Sequence, residues 1–331
     1  MKISPNCKVE KMNQKIENLD INTLLQPLEE LRDCCFCPRN CHANRFTGNL
    51  GYCKSDATFN ISSICNHRGE EPPISGNKGI CNIFFTNCNL QCIYCQNHQI
   101  SKNIKRDFSE KFILKEVLNQ IIKILNTGIN ILGFVSPSHF IPQMKVIANS
   151  LKAIGRNPVI VYNTNGYDTV DSIEDLEEFV DVYLPDYKYY DRNISKEYSD
   201  ADDYPEFALK AIKEMYRQKG SELVLDEFGY AKKGIIIRHL VLPEQVENSI
   251  NVLRTIAKEI SPEIHISLMS QYYPTQNVAN HQKLNRTLKK SEYEKVVSEM
   301  EKLGMFNGWV QDMASYENYK PDFSKNKNPF E

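Results

Sequence analysis

A chain of 331 residues with 41% hydrophobic and 25% charged residues has the composition of a globular protein with a sizeable core. The length fits one large domain, or one domain plus an appendage. A formal charge of −2 offers no field to draw in nucleic acid or an acidic membrane; residues 1–20 lack the apolar core of a signal peptide, and no apolar run is long enough to span a bilayer. A cytoplasmic protein with neither nucleic-acid nor membrane partner is expected.

Three zones are predicted: a cysteine-rich extension over 1–75, a β/α region over 76–314, and a tail over 315–331. A leading helix is expected around residues 21–31. A strand over 80–85 then runs straight into a cysteine-bearing loop. The next helix, over 109–125, places Ile113, Val117, Ile121 and Ile124 on one face, with Gly128 behind it as a stop. A strand at 129–135 precedes a helix carrying Met144, Ile147, Leu151 and Ile154, closed by Gly155. A strand at 158–162, a short helix at 173–179 and a strand at 180–184 follow. A helix at 207–216 leads to a strand at 234–241, and a helix with Leu253, Ile256 and Ile260 leads to a strand at 263–268. A last helix shows Tyr293, Val296, Val297, Met300 and Leu303. The tail, rich in Lys, Asn and Pro, is expected to fray or drape over the surface.

Strand–helix alternation implies parallel pairing with right-handed crossovers. Runs as apolar as Ile235-Ile236-Ile237 belong in a sheet covered on both faces. Periodicity alone allows a doubly wound sheet or a partial barrel. Polar residues at the carboxyl ends of the strands, where α/β active sites gather, tilt the choice toward a barrel. Those ends carry Cys88, Cys92 and Cys95; Ser136 to His139; Asn163 and Asn165; Asp186 and Lys188; Arg238 and His239; and Gln271. Singly, each has an ordinary explanation: an exposed ion pair at Asp186 and Lys188, a turn at Asn165-Gly166, a charge-neutralising Arg238. Six together point to a site.

All 11 cysteines lie between Cys7 and Cys95. A disulfide scaffold suits short exported chains, and buried free thiols would be scattered, so ligation is the better reading of the tight spacings. The spacing of Cys88, Cys92 and Cys95 brings three soft thiolates into one loop. They can hold three irons of a [4Fe–4S] cube and leave the fourth open. A zinc knuckle would need a fourth ligand, and nearby only His98 offers one. A second set, Cys34, Cys37, Cys41 and Cys53, has four thiolates in a turn-rich segment and suits a closed site holding zinc or an auxiliary iron–sulfur cluster. Cys81 is expected in the core; Cys7, Cys35 and Cys65 have no assigned role.

The three-cysteine loop, with Tyr94 just before its last cysteine, resembles the signature of the radical SAM superfamily. Within it the chain is similar to an uncharacterised iron–sulfur branch of pyruvate formate-lyase activating enzyme-like proteins. The shared blocks are Cys37-Pro38-Arg39-Asn40-Cys41 with Asn44-Arg45, Gly69-Glu70-Glu71-Pro72-Pro73-Ile74-Ser75-Gly76, and Arg238-His239-Leu240-Val241-Leu242-Pro243. The resemblance spans about residues 34–311. It implies a partial barrel of six β/α units with an N-terminal cysteine-rich extension, a [4Fe–4S] cluster, and S-adenosylmethionine bound to the open iron. Tyr94 would lie against the adenine, and Asn165, Asp186, Lys188 and Arg238 would ring the methionine and ribose. Where relatives have a Gly-Gly-Glu-like segment, this chain reads Ser136-Pro137-Ser138-His139, which makes His139 a candidate; where activating enzymes have a histidine after the sixth strand, it offers Gln271. The implied activity is an oxidoreductase that forms a 5′-deoxyadenosyl radical and abstracts hydrogen, with flavodoxin or ferredoxin as electron donor and a partner-protein glycine as target. Radical chemistry on a small molecule or peptide, and a non-catalytic iron–sulfur or zinc protein, are the rivals.

Overall fold

The computed structural model describes residues 14–104, 113–317, 320–325 and 328–331. Cys7 and the first residues of the helix expected at 109–125 lie outside them. The six expected strands are present as β2 (Ile80–Phe85), β3 (Ile131–Val135), β4 (Val159–Thr164), β5 (Val182–Pro185), β7 (Ala231–Leu240) and β8 (His265–Met269). Each lies parallel to the next in that order. Because strand order follows chain order, the crossovers all wind one way, and the sheet curls into a partial barrel instead of a doubly wound sheet.

Two further strands extend it. β1 (Ile61–His67) pairs antiparallel with β2, and β9 (Gly308–Val310) pairs parallel with β8, so these two form the edges. A two-residue strand, β6 (Val224–Leu225), pairs antiparallel with the start of β7. Neither β1 nor β9 is read from the sequence. β1 mixes apolar and polar residues without strict alternation, and β9 is only three residues long.

Among the helices, α1 (Ile21–Leu24) is followed by a 3₁₀ turn, Gln26–Arg32, and α2 (Pro72–Ser75) and α3 (His98–Ser101) are single turns. The outer layer is α4 (Leu114–Leu125), α5 (Ile141–Ala153), α6 (Val170–Glu174), α7 (Arg192–Ser199), α8 (Tyr204–Lys219), α9 (Val246–Glu259) and α10 (Lys290–Lys302). α7, with its unread apolar face, is capped by Asp191, whose carboxylate accepts from the Asn193 and Ile194 amides.

Side chains alternate across the strands. Cys81, Ile83, Phe85, Leu132, Phe134, Ile160, Tyr162, Ile235 and Ile237 face outward into one core with Val117, Ile121, Met144, Ile147 and Ile212 of the helices. Each such fully buried aliphatic side chain contributes roughly 1.5–3 kcal/mol. Ile80, Ile131, Val161, Val182 and Ile236 face inward, where Ile74 of α2 joins them as a floor to the barrel. Above that floor the inward positions turn polar: Asn82, Asn163, Arg238 and Ser267. No described helix is long and apolar enough to cross a membrane.

Candidate functional site

The strand-end residues converge on one cavity of about 290 Å³. Cys88, Cys92, Cys95, Tyr94, Asn165, Asp186, Lys188, Arg238 and Gln271 all line it. His139 does not. Its Nε2 lies 3.1 Å from the Thr86 carbonyl and its own carbonyl accepts from Arg45 Nη1 at 2.6 Å, behind the sheet. Burial, with Arg45 adding to it, pushes His139 down to about 3.

The cysteine loop departs from β2 through Asn87, held in the left-handed region (φ 62°) with its amide donating to the Ile100 carbonyl at 2.7 Å. That turn sends the chain across the top of the barrel. Each thiol sulfur then accepts a hydrogen bond. Cys88 Sγ takes the Leu90 amide (3.4 Å) and Asn165 Nδ2 (3.4 Å), Cys92 Sγ takes Ser199 Oγ (2.9 Å), and Cys95 Sγ takes Ser101 Oγ (3.3 Å). Burial pushes the Cys88 thiol up to about 12 and the Cys92 thiol up to about 11, and the neighbouring thiols add to it. Bare, these groups are protonated. Bound iron would displace the protons, and the surrounding donors suit the charge the sulfurs would then carry.

Asn165 is positioned by Gly166 (φ 83°). A Cβ there would lie 2.2 Å from the Asp186 carbonyl oxygen, so only glycine lets β4 and β5 end side by side. Asn165 Nδ2 also donates to Asn89 Oδ1 at 2.7 Å. Tyr94 is buried and its hydroxyl pairs with Tyr189 Oη at 2.6 Å. Tyr189 Oη in turn lies 2.6 Å from Ser199 Oγ, the donor to Cys92.

Asp186 sits between two cations. Lys188 Nζ reaches its Oδ2 (2.5 Å) and Arg238 Nε its Oδ1 (2.9 Å). Burial opposes the carboxylate charge, but the two cations outweigh it and hold Asp186 below the usual range. Gln271 is engaged from both ends: its Oε1 accepts from Gln311 Nε2 (2.8 Å) and its carbonyl from Gln96 Nε2 (3.4 Å).

Sequence reasoning passed over the carboxylates beneath this ring. Glu70 Oε2 accepts from Arg238 Nη1 (3.1 Å), and its Oε1 accepts from Asn82 Nδ2 (2.8 Å) and Asn163 Nδ2 (3.3 Å). Glu71 is buried beside it, raised by burial although Arg238 opposes the rise, and its Oε2 has no partner. Both come from the block Gly69 to Gly76, which the resemblance singled out but to which no role was given. His67 of β1 and Trp309 of β9 complete this lower chamber.

The second cysteine set is also brought together. Burial raises Cys34 and Cys37; Cys53 and Cys41 add to the rise at both, and Cys34 adds to it at Cys37. The Tyr52 amide donates to Cys41 Sγ at 3.3 Å, and Arg45 Nη1 lies 3.9 Å from Cys34 Sγ. Among the described residues no three His, Cys, Asp or Glu side chains close around a single-ion position. This segment rests on the first loop: Arg39 Nε donates to the Asn89 carbonyl (2.9 Å), and Asn103 Nδ2 bridges the Tyr52 (3.0 Å) and Cys88 (2.9 Å) carbonyls. Cys81 and Cys65 are buried and Cys35 is exposed.

A curated relative, Uncharacterized protein MJ0674 of Methanocaldococcus jannaschii, is 27% identical over 281 residues, covering 83% of this chain and 76% of its own. The crystal structure of HydG, a maturase of the [FeFe]-hydrogenase, superposes with a TM-score of 0.49 at 13% identity, covering 96% of this chain and 70% of that one. A domain of pyruvate-formate lyase-activating enzyme from Bacteroides vulgatus ATCC 8482 superposes with a TM-score of 0.37 at 13% identity, covering 52% and 93%. The signature of the Radical SAM superfamily matches residues 82–255, from β2 through the cysteine loop into α9. With this match over more than half its length, the chain belongs to the radical SAM superfamily.

Proposed function

We propose that this chain is an oxidoreductase that cleaves S-adenosylmethionine reductively at a [4Fe–4S] cluster held by Cys88, Cys92 and Cys95. When bound, the cluster and S-adenosylmethionine supply a 5′-deoxyadenosyl radical that takes a hydrogen atom from a substrate. The carrying observation is that three thiols, each with its own hydrogen-bond donor, open into one cavity with Asp186, Lys188 and Arg238. Three protein thiolates leave one iron free for the amino and carboxylate groups of the cofactor. Asp186 would offer a carboxylate, and Lys188 and Arg238 cations, to its polar groups; Asn165 orients the Cys88 sulfur, and Tyr94 and Gln271 would bound the cavity on the adenine side and the far side.

The activating-enzyme likeness of the sequence blocks supports a backbone glycine of a partner protein as target, with flavodoxin or ferredoxin as electron donor. The chamber below the ring, with Glu70, Glu71, His67 and Trp309, favours a second reading in which a small molecule or peptide is the target. Cys34, Cys37, Cys41 and Cys53 hold a second metal, zinc or an auxiliary cluster, and its seat against the first loop supports a part in keeping that loop in place. The enzyme works in the cytoplasm.

Anaerobic reconstitution followed by dithionite and S-adenosylmethionine should yield 5′-deoxyadenosine. A fully loaded protein that yields none would favour a non-catalytic iron–sulfur protein and overturn this reading.

A further inference from the structure

β1 and β9 are the two edges of the sheet, and among the described residues no strand pairing joins them. The floor is blocked by Ile74, fully buried, and by Tyr230, whose ring would meet a Cβ at Gly76 within 2.6 Å. A substrate must therefore reach the lower chamber from the top or through the open seam. Residues 320–325 and 328–331 of the C-terminal segment lie against both. Lys320 Nζ lies over the Tyr273 ring just beyond β8, 5.6 Å from its centroid. Next, Asp322 Oδ1 accepts from Gln99 Nε2 (3.3 Å) and the Phe323 amide donates to Gln99 Oε1 (2.7 Å). The Phe323 ring packs edge-on against Phe84, 5.4 Å between centroids. On the far edge, Asn328 Nδ2 donates to the Asn66 carbonyl of β1 at 2.8 Å, and Phe330 packs on His67 (4.1 Å) and Phe84 (5.6 Å).

Pro321 and Phe330 consequently line the same cavity as the cysteine loop, alongside His67, Phe84 and Trp309. Of the two expectations for the tail, its described residues drape over the surface, and with specific contacts. Its two phenylalanines find an apolar seat on inward-facing Phe84, because the barrel leaves that face uncovered at the seam. Gln99 belongs to α3, whose Ser101 donates to Cys95 Sγ, so the segment is tied to the cluster loop as well as to β1.

We propose that residues 320–325 and 328–331 form a displaceable strap that closes the cavity at the seam and must lift for substrate to enter. This rests on the reading of the cavity as the radical site. The strap is held by two partly exposed aromatic rings and a few hydrogen bonds, so it belongs to the segments that open at far lower cost than the barrel. Closed, it shields the chamber from solvent; lifted, it exposes His67, Phe84 and Trp309 to an incoming molecule.

Trp309 is the only tryptophan in the chain and lines the cavity, so its fluorescence reports on the strap without cluster or S-adenosylmethionine. In the full-length chain, Phe323→Ala with Phe330→Ala should raise the acrylamide quenching constant of Trp309 about twofold or more, as expected for a lost local closure. Adding a synthetic peptide of residues 320–331 should reverse the rise. Asn328→Ala alone should give a smaller rise, and it decides the matter if circular dichroism shows that the double variant has lost its fold. Quenching unchanged in folded variants, or no reversal by the peptide, would overturn the strap. A protein that makes no 5′-deoxyadenosine but shows the quenching changes would overturn the radical reading and leave the strap standing.

Discussion

Replacing Arg238 with methionine keeps much of the side-chain stem and removes the guanidinium that binds three inward-facing groups. Its Nε lies 2.9 Å from Asp186, Nη1 3.1 Å from Glu70 and Nη2 2.7 Å from Asn163, with both carboxylates largely buried. Removing one partner of a buried ion pair strands the other and costs about 3–5 kcal/mol. Lys188 still faces Asp186, which argues for the lower half of that range. With an unfolding entropy of roughly 2.1 cal/mol/K per residue, a chain of 331 residues should lose about 4–6 °C of melting temperature.

The loss should depend on pH. In the wild type, the depressed Asp186 stabilises the fold above the unfolded carboxylate pKa, and this is lost only as pH falls through the lower folded value. Without Arg238, the stranded carboxylates are pushed up, as burial already does to Glu71. The folded state then binds more protons than the unfolded one, and its stability falls as pH rises. The deficit of the variant should therefore shrink between pH 8 and pH 6. Melts of both proteins followed by circular dichroism, compared at each pH, check this. A deficit below about 1 °C, or one equally large at both pH values, would refute the idea that Arg238 neutralises buried carboxylates.

Gly166→Ala should destabilise the protein by about 1–3 kcal/mol, since it forces an L side chain to a positive φ against the Asp186 carbonyl; denaturant titration measures it. Ser199→Ala removes the donor to Cys92 Sγ, and anaerobic redox titration of the reconstituted protein should find a lower cluster potential with unchanged iron content. Cys37→Ala should lower the metal content of the reconstituted protein by the second metal proposed for that set, read by elemental analysis, while the iron proposed for Cys88, Cys92 and Cys95 remains; loss of both would merge the two sites into one.

Chain-local information carried the strand–helix alternation, the three-cysteine loop and the strand-end polar residues, because these are set by periodicity and by side-chain chemistry within a few residues. Cys88, Cys92, Cys95, Asn165, Asp186, Lys188 and Arg238 were all legible as strand-end residues, and the fold brings them to one cavity. What stayed hidden was whatever depends on which face of a buried strand looks inward. Runs such as Ile235-Ile236-Ile237 are apolar on both faces, so although Asn163 was legible at its strand end, nothing local marked Ser267 as part of a polar interior. Alternation alone does not separate a partial barrel from a doubly wound sheet, which differ in strand order; the strand-end polar residues and the family resemblance pointed to the barrel, and the strand order bears it out. Glu70 and Glu71 follow β1 in the chain, yet they meet Arg238, 168 residues away for Glu70, only because α2 folds under the barrel. The tail read as a polar appendage because its two phenylalanines have no apolar neighbours in sequence. Only the open seam between β1 and β9 supplies a surface for them, and an opening between two edges is a property of the closed curve of the sheet, which no single stretch of sequence contains.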